Sequence, residues 1–188
     1  MNRDQILDAA AQIIRQKGYH AASMQDIADA VNLQKASLYH HFSSKQEILV
    51  TLLDQALDLL IGRVSAVLIQ DIPADEKLSQ AMRVYLGSLD EYAALAGVLL
   101  LEHRSLNPEY HNRHIPRRDR FERLWRDLIQ EGVESGVFHD SDPSMTARAL
   151  LGVMNWTITW YRPDGPLSIG QISDHFAALF LDGLRGCR

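Results

Sequence analysis

Lys35, Ser37, Tyr39 and His40 lie within one short stretch and offer hydrogen-bond donors of four different shapes. Lys45 adds a cation shortly after them. Donors crowded onto a short segment with small neighbours (Ala36, Ser37) suit contact with base edges and phosphates in a DNA major groove. Catalytic chemistry fits poorly. No Ser-His-Asp order, phosphate-binding glycine loop or paired zinc-ligand motif occurs, so neither an enzyme nor a cofactor is expected. His103, His111 and His114, with Glu102 and Glu109, raise the question of a metal site. A helical di-metal protein needs Glu-x-x-His pairs on facing helices; none occurs, and no metal is expected.

A second chemistry is available further on. Arg113, Arg117, Arg118, Arg120, Arg123 and Arg126 form a basic stretch. It reads as a solvated helix face laced with Asp119, Glu122 and Asp127, as a second DNA site, or as a site for an anionic ligand group such as a phosphate. Trp156 and Trp160, four residues apart, share a helix face. They read as dimer core or as the wall of an apolar cleft.

The elements that must position the first group are helices. Met24, Ile27, Ala28 and Val31 recur at helical spacing, with Ser23 and Asp26 placed for a capping box. Asn32 tolerates the left-handed conformation of a sharp helix end. A second, shorter helix follows, with Leu38 and Phe42 on its inner side. Ahead of the pair, residues 3–17 carry an apolar stripe of Ile6, Leu7, Ala10, Ile13 and Ile14, ended by Gly18. Arg3 reads as a solvated side chain or a phosphate contact. After the pair, Ser44 and Glu47 cap a fourth helix whose apolar positions run from Ile48 to Leu68, a rod of about 30 Å. Its N-terminal amides favour an anion, and Lys45 in its first turn is placed for a phosphate.

Asp26-Ile27-Ala28, Leu38-Tyr39-His40-His41-Phe42 and Ser44-Lys45-Gln46-Glu47-Ile48-Leu49, with Gly18-Tyr19 and Ala22-Ser23 before them, resemble the TetR/AcrR family of transcriptional regulators. The resemblance covers roughly residues 1–60. It implies a helix-turn-helix that binds double-stranded operator DNA, with Ser23, Met24, Gln34, Lys35, Ala36, Ser37, Tyr39, His40 and Lys45 as candidate contacts. One departure stands out: Asn32-Leu33-Gln34 replaces the family's usual Gly-Val-Ser, and Gln is a poor N-cap.

The 188 residues carry a net charge of −5, which alone argues against nucleic acid. Residues 1–50 are neutral, with Arg3, Arg15, Lys17, Lys35 and Lys45 matching Asp4, Asp8, Asp26, Asp29 and Glu47. DNA contact must therefore rest on local placement rather than on a broad basic field. A single cysteine, Cys187, permits no disulfide within the chain and points to a reducing, cytoplasmic setting. It reads as an incidental terminal thiol. No apolar run approaches a membrane span, and the N-terminus is no signal peptide.

From Asp75 onward the pattern is helical throughout, so the expected fold is all-α with about nine helices. Residues 1–60 are expected to form the DNA-binding domain, with its reader at 23–42, and residues 61–188 the effector-binding and dimerisation domain. The helix from Met145 to Trp160 is nearly all apolar, which implies burial on every side, one of them by a second subunit. The expected homodimer interface is Met145, Leu150, Met154, Ile172, Phe176 and Phe180. The run Asn155–Pro163, with Leu167-Ser168-Ile169 after it, resembles a signature of TetR-type regulators of fatty-acid or steroid-ring catabolism. That resemblance implies release from DNA by an acyl-CoA thioester. Candidate effector contacts are Tyr85, Leu89, Arg117, Arg118, Trp125, Trp156, Trp160 and Arg162. The alternatives are a sensor of hydrophobic drugs and, in another class, an all-α enzyme or di-metal protein.

Overall fold

The computed structural model describes residues 2–185, which fold into nine α-helices and one 3-10 turn with no strand among them. In order these are α1 (Arg3–Lys17), α2 (Met24–Ala30), α3 (Lys35–His41), α4 (Lys45–Leu68), α5 (Ala74–Glu91), α6 (Ala93–Glu102), the turn His103–Ser105, α7 (Pro108–Glu134), α8 (Pro143–Trp160) and α9 (Ile169–Arg185). The all-α expectation holds. Cys187 lies outside the described residues. No single helix among them is long and apolar enough to cross a membrane.

The chain forms two compact units. The first comprises the residues up to Asp58 together with Tyr92–Arg117. Here α1 packs on α2 and α6, and α2 on α3. Ile6, Leu7, Ile14, Ile27, Leu38, Phe42, Ile48, Leu49 and Leu53 are fully buried. Each such side chain contributes about 1.5–3 kcal/mol of burial. A helix as short as α3 has no stability of its own and depends on these contacts. Local signals also hold. Ser23 and Asp26 make the full capping box, Gly18 closes α1 at φ 78°, and Asn32 takes φ 53°. A second capping box, between Asn2 and Gln5, opens α1.

The second unit comprises Leu59–Glu91 and the described residues from Arg118 onward. In it α5 packs on α9 and α8. Asp142 caps α8 with Pro143 at the first helical position, and Ser168 with Gln171 caps α9. Glycine is required at 132, because a Cβ there would sit 2.0 Å from the Phe138 ring.

Two helices carry features that need a physical account, and the second differs from expectation. The helix carrying the basic stretch begins at Pro108 and runs through Pro116 without a break. Pro116 removes one helical N–H, but Pro116 and Asn112 are both exposed, so water can satisfy the Asn112 carbonyl. The α8 helix is not buried on every side. Ala147, Leu150, Met154 and Thr157 face inward, while Met145, Ala149, Gly152, Val153, Trp156 and Trp160 form an exposed stripe.

Candidate nucleic-acid interface and effector region

The reader candidate is α3. Leu38 and Phe42 fasten its inner side, and Arg3 clamps its end, with the guanidinium 4.0 Å from the Phe42 ring centroid. Arg3 also donates to the His41 carbonyl and to Glu47 Oε1, each at 2.9 Å. Arg3 is therefore a structural bolt joining α1, α3 and α4, where the sequence offered only a solvated or phosphate-bound side chain. Held this way, α3 leaves Gln34, Lys35, Ala36, Tyr39 and His40 exposed and Ser37 half-buried. Tyr39, at 47% exposure, is a large aromatic that burial does not explain. Gln34 stands at the N-cap and makes no side-chain cap bond, as its poor capping chemistry implies.

Ser23 is exposed but committed to Asp26: its hydroxyl and backbone N–H donate to Oδ2 at 2.7 and 2.8 Å. Lys17, at 2.6 Å, and then Ser23 hold the Asp26 carboxyl well below the usual carboxylate range. Met24 departs from its place among the candidate contacts. It is buried at 7% exposure as part of the apolar face of α2, leaving little surface for a nucleic acid.

Lys45 is anchored within its own unit. Its Nζ donates to the Tyr19 carbonyl at 2.7 Å and the Ala22 carbonyl at 2.6 Å, with His20 O at 3.5 Å. It also sits 4.3 Å from the Tyr19 ring centroid. A cation in the first turn of α4 opposes the helix dipole by about 0.3–1 kcal/mol. Here the Tyr19 and Ala22 carbonyls offset that cost, with the His20 carbonyl at the limit of hydrogen-bond distance. The cap beside it is also rearranged. Ser44 Oγ accepts the Glu47 N–H at 3.1 Å, but the Glu47 carboxylate reaches Ser43, accepting its N–H and hydroxyl at 2.7 Å each. Burial pushes the Glu47 carboxyl up, yet Ser43 and Arg3 outweigh it and the net shift is downward.

Gln46, Tyr19 and Glu102 form a junction that the sequence did not reveal. Gln46 donates to the Tyr19 hydroxyl and the Ser105 carbonyl, both at 2.8 Å, and accepts the Asn107 N–H at 2.9 Å. In the same unit, Asp54 bonds His114 Nδ1 at 2.9 Å and accepts from Arg117 at 3.1 Å. Arg117 is thereby tied to α4, where Asp58 also accepts from it at 3.2 Å, rather than free to hold a ligand. The sequence signal for this cluster is Asp54 itself, which falls on the apolar side of α4, where a charge needs a partner.

The candidate effector residues separate into groups. Tyr85, Leu89 and Trp125 lie in the interior of the second unit. Tyr85 stacks on Phe121 at 5.6 Å and meets Trp125 edge-on at 5.8 Å, and its hydroxyl donates to Asn155 Oδ1. Full burial pushes the Tyr85 phenol upward. The Trp125 Nε1 proton is buried and has no hydrogen-bond partner among the described residues. Phe121 and Asn155 join this cluster unanticipated; an asparagine within an apolar helix was the available clue. Trp156 and Trp160 lie elsewhere, on the exposed stripe of α8 at 65% and 44% exposure. Arg118 is exposed and pairs with Asp119 at 3.4 Å. Arg162 is exposed in the α8–α9 turn, where its carbonyl accepts the Gly165 N–H.

The expected interface residues divide similarly. Met145 is exposed, and Phe176 and Phe180 are half-buried, with Phe176 edge-on to Trp160 at 6.5 Å. Leu150, Met154 and Ile172 belong instead to the protomer's own interior, at 0%, 0% and 3% exposure, and have no surface left for a partner. Their neighbours Ala149, Val153, Trp156 and Leu179 carry the exposed face.

Residues 6–52 match the family described as bacterial regulatory proteins, tetR family, and residues 71–184 match the tetracyclin repressor-like C-terminal domain. The HTH-type transcriptional repressor KstR2 of Mycolicibacterium smegmatis is 30% identical over 184 residues, covering 97% of this chain and 90% of that protein. The TetR family regulator PfmR of Thermus thermophilus superposes with TM-score 0.88 at 38% identity, over 94% of this chain and 96% of that one. AibR, solved in complex with isovaleryl coenzyme A and operator DNA, gives TM-score 0.88 at 28% identity over the same shares.

Proposed function

This chain belongs to the TetR family of DNA-binding transcriptional regulators, and we propose that it is a homodimeric repressor released from its operator by an acyl-CoA thioester. The DNA contacts in this reading are Gln34, Lys35, Ala36, Ser37, Tyr39 and His40. Two copies of α3 would meet half-sites roughly 34–36 Å apart. The dimer surface is the exposed apolar stripe of α8 with Leu179 of α9. Met145, Val153, Trp156, Trp160 and Leu179 are each at least 40% exposed. So many large apolar side chains on adjoining helices mark an interaction site.

The observation that carries the effector reading is the Tyr85, Phe121 and Trp125 cluster with its unpaired indole N–H. A buried donor left without an acceptor costs about 1–3 kcal/mol. A ligand bearing a carbonyl on an apolar body would remove that cost. A thioester is such a ligand, and the AibR complex contains one. For release, the thioester must bind the DNA-incompetent arrangement more tightly than the DNA-bound one. The test follows tryptophan fluorescence during titration with acyl-CoA thioesters of graded chain length. A saturable change that is weakened in Trp125→Phe supports the reading, and no change with any thioester removes it.

One observation favours a sensor of hydrophobic drugs instead. Arg117 is held by Asp54 and Asp58, and Arg118 pairs with Asp119. Of the three candidate effector arginines, Arg162 alone has no ion pair among the described residues.

A further inference from the structure

We propose that His114 is a positioning residue for operator binding, acting through Asp54 to fix the register of α4 against α7. The two side chains come from different helices of the first unit and are 4% and 7% exposed. A carboxylate only accepts, so His114 Nδ1 carries the proton and donates to Asp54 Oδ1 at 2.9 Å. Arg117 donates to the other oxygen, Asp54 Oδ2, at 3.1 Å and to Asp58 Oδ1 at 3.2 Å. Asp54 and Asp58 stand four apart on α4, and His114 and Arg117 three apart on α7, so each pair shares one helix face.

Burial does not call for such a ladder. A buried ion pair is often replaced by apolar side chains of similar size without loss of stability. Apolar contacts are non-directional, whereas a hydrogen bond weakens steeply once it bends. What the polar pair adds is a fixed register between the two helices. That register bears on DNA. Glu47 lies two turns before Asp54 on α4, about 10 Å away at 1.5 Å per residue. There it accepts from Ser43 and Arg3, and Arg3 also holds the His41 carbonyl at the end of α3. A slip of α4 therefore moves the reader helix. Phe121 and Trp125 follow Arg117 at intervals of four, so the helix that His114 fixes also carries part of the effector cluster. That last link rests on the effector reading, and the link to α3 rests on its being the reader.

The experiment uses full-length protein, without effector, and a duplex selected from a random library by the wild-type chain. Anisotropy and thermal melts are recorded for the wild type, for Asp54→Asn, and for Asp54→Leu combined with His114→Leu. The leucine pair should melt no lower than the wild type yet bind the duplex roughly tenfold more weakly. Asp54→Asn, whose amide oxygen still accepts from His114, should bind close to wild type. Wild-type affinity in the leucine pair overturns the proposal, and so does an Asp54→Asn affinity as weak as that of the leucine pair. Should the leucine pair fail to fold, His114→Asn and His114→Leu take its place, with Asp54 still held by Arg117. Asparagine puts a donor where Nδ1 stands and leucine does not. Weaker binding by the leucine variant alone supports the proposal, and equal binding by the two overturns it. No thioester enters these measurements, so they stand whether or not acyl-CoA releases the protein. Tyr39→Ala on the same duplex tests the reader separately.

Discussion

The Glu102 carboxylate, at the end of α6, accepts the backbone N–H of Tyr19 at 3.1 Å across 83 residues of chain. Tyr19 thus sits where three segments meet: α6 through Glu102, the start of α4 through Lys45 and Gln46, and the turn leading into α2. Gln46 extends the junction to Ser105 and Asn107, in the stretch between α6 and α7. Coupling between a ligand and a DNA reader requires a physical element whose arrangement both can bias. The first prediction is that these hydrogen bonds form such an element on the DNA-reading side.

Gln46→Ala and Glu102→Ala should therefore weaken coupling more than folding. The expected outcome is a reduced ratio of operator affinities without and with effector, by about fivefold, or about 1 kcal/mol of coupling. Anisotropy titrations in both conditions give the ratio. An unaltered ratio in both variants would remove the junction from the allosteric route.

The exposed side chains of α3 make a separate prediction. Tyr39→Ala and Lys35→Ala should each weaken operator binding by about 1–3 kcal/mol, the scale of a polar or charge-assisted contact. Stability should change by no more than about 0.5 kcal/mol, because neither side chain packs inside. Gel shifts beside thermal melts separate the two effects. Unchanged affinity in both variants would mean that another surface reads the DNA.

Trp156→Arg should break the subunit contact while leaving the protomer folded. Its side chain is 65% exposed in the protomer, so a charge is tolerated there until a second copy buries it. Light scattering should report a monomer of about half the wild-type mass. A wild-type-like dimer would place the interface elsewhere. Met154→Arg, by contrast, should unfold the protomer, since Met154 is fully buried.

The acid response follows from three carboxyls held below their ordinary range. Lys17 and Ser23 lower Asp26, Arg185 lowers Asp75 against an opposing burial effect, and Ser43 with Arg3 lowers Glu47 despite its burial. A depressed folded-state value gives stability that is complete above the unfolded value, near pH 4, and is lost as pH falls further. The melting temperature should thus hold from pH 7 to about 5 and decline below about pH 4. Asp26→Asn with Asp75→Asn should flatten that decline. An equally steep decline in the double variant would contradict the assignment.

The sequence made the helices legible because their signals are local. Ser23 with Asp26, Asn32, Asp142-Pro143 and Ser168 each act within a few residues. It made the DNA-reading pair legible because donors on one side and Leu38 with Phe42 on the other follow helical spacing. Long-range pairs were not legible. Nothing near Lys45 in sequence announces the carbonyls of Tyr19 and Ala22, and nothing near Asp54 announces His114. Burial on the apolar helix α8 is not legible either. Periodicity cannot separate positions such as Leu150 and Met154, which the protomer buries, from Met145 and Trp156, which it leaves exposed.

A TetR-family repressor released by an acyl-CoA thioester should leave its operator when that ligand is added. The most direct measurement is the anisotropy of labelled operator held by the protein, titrated in parallel with acyl-CoA, the matching free acid and a cationic hydrophobic dye. The thioester should free the DNA at concentrations where the free acid and the dye do not. Release by the dye alone would contradict it and identify a sensor of hydrophobic drugs instead.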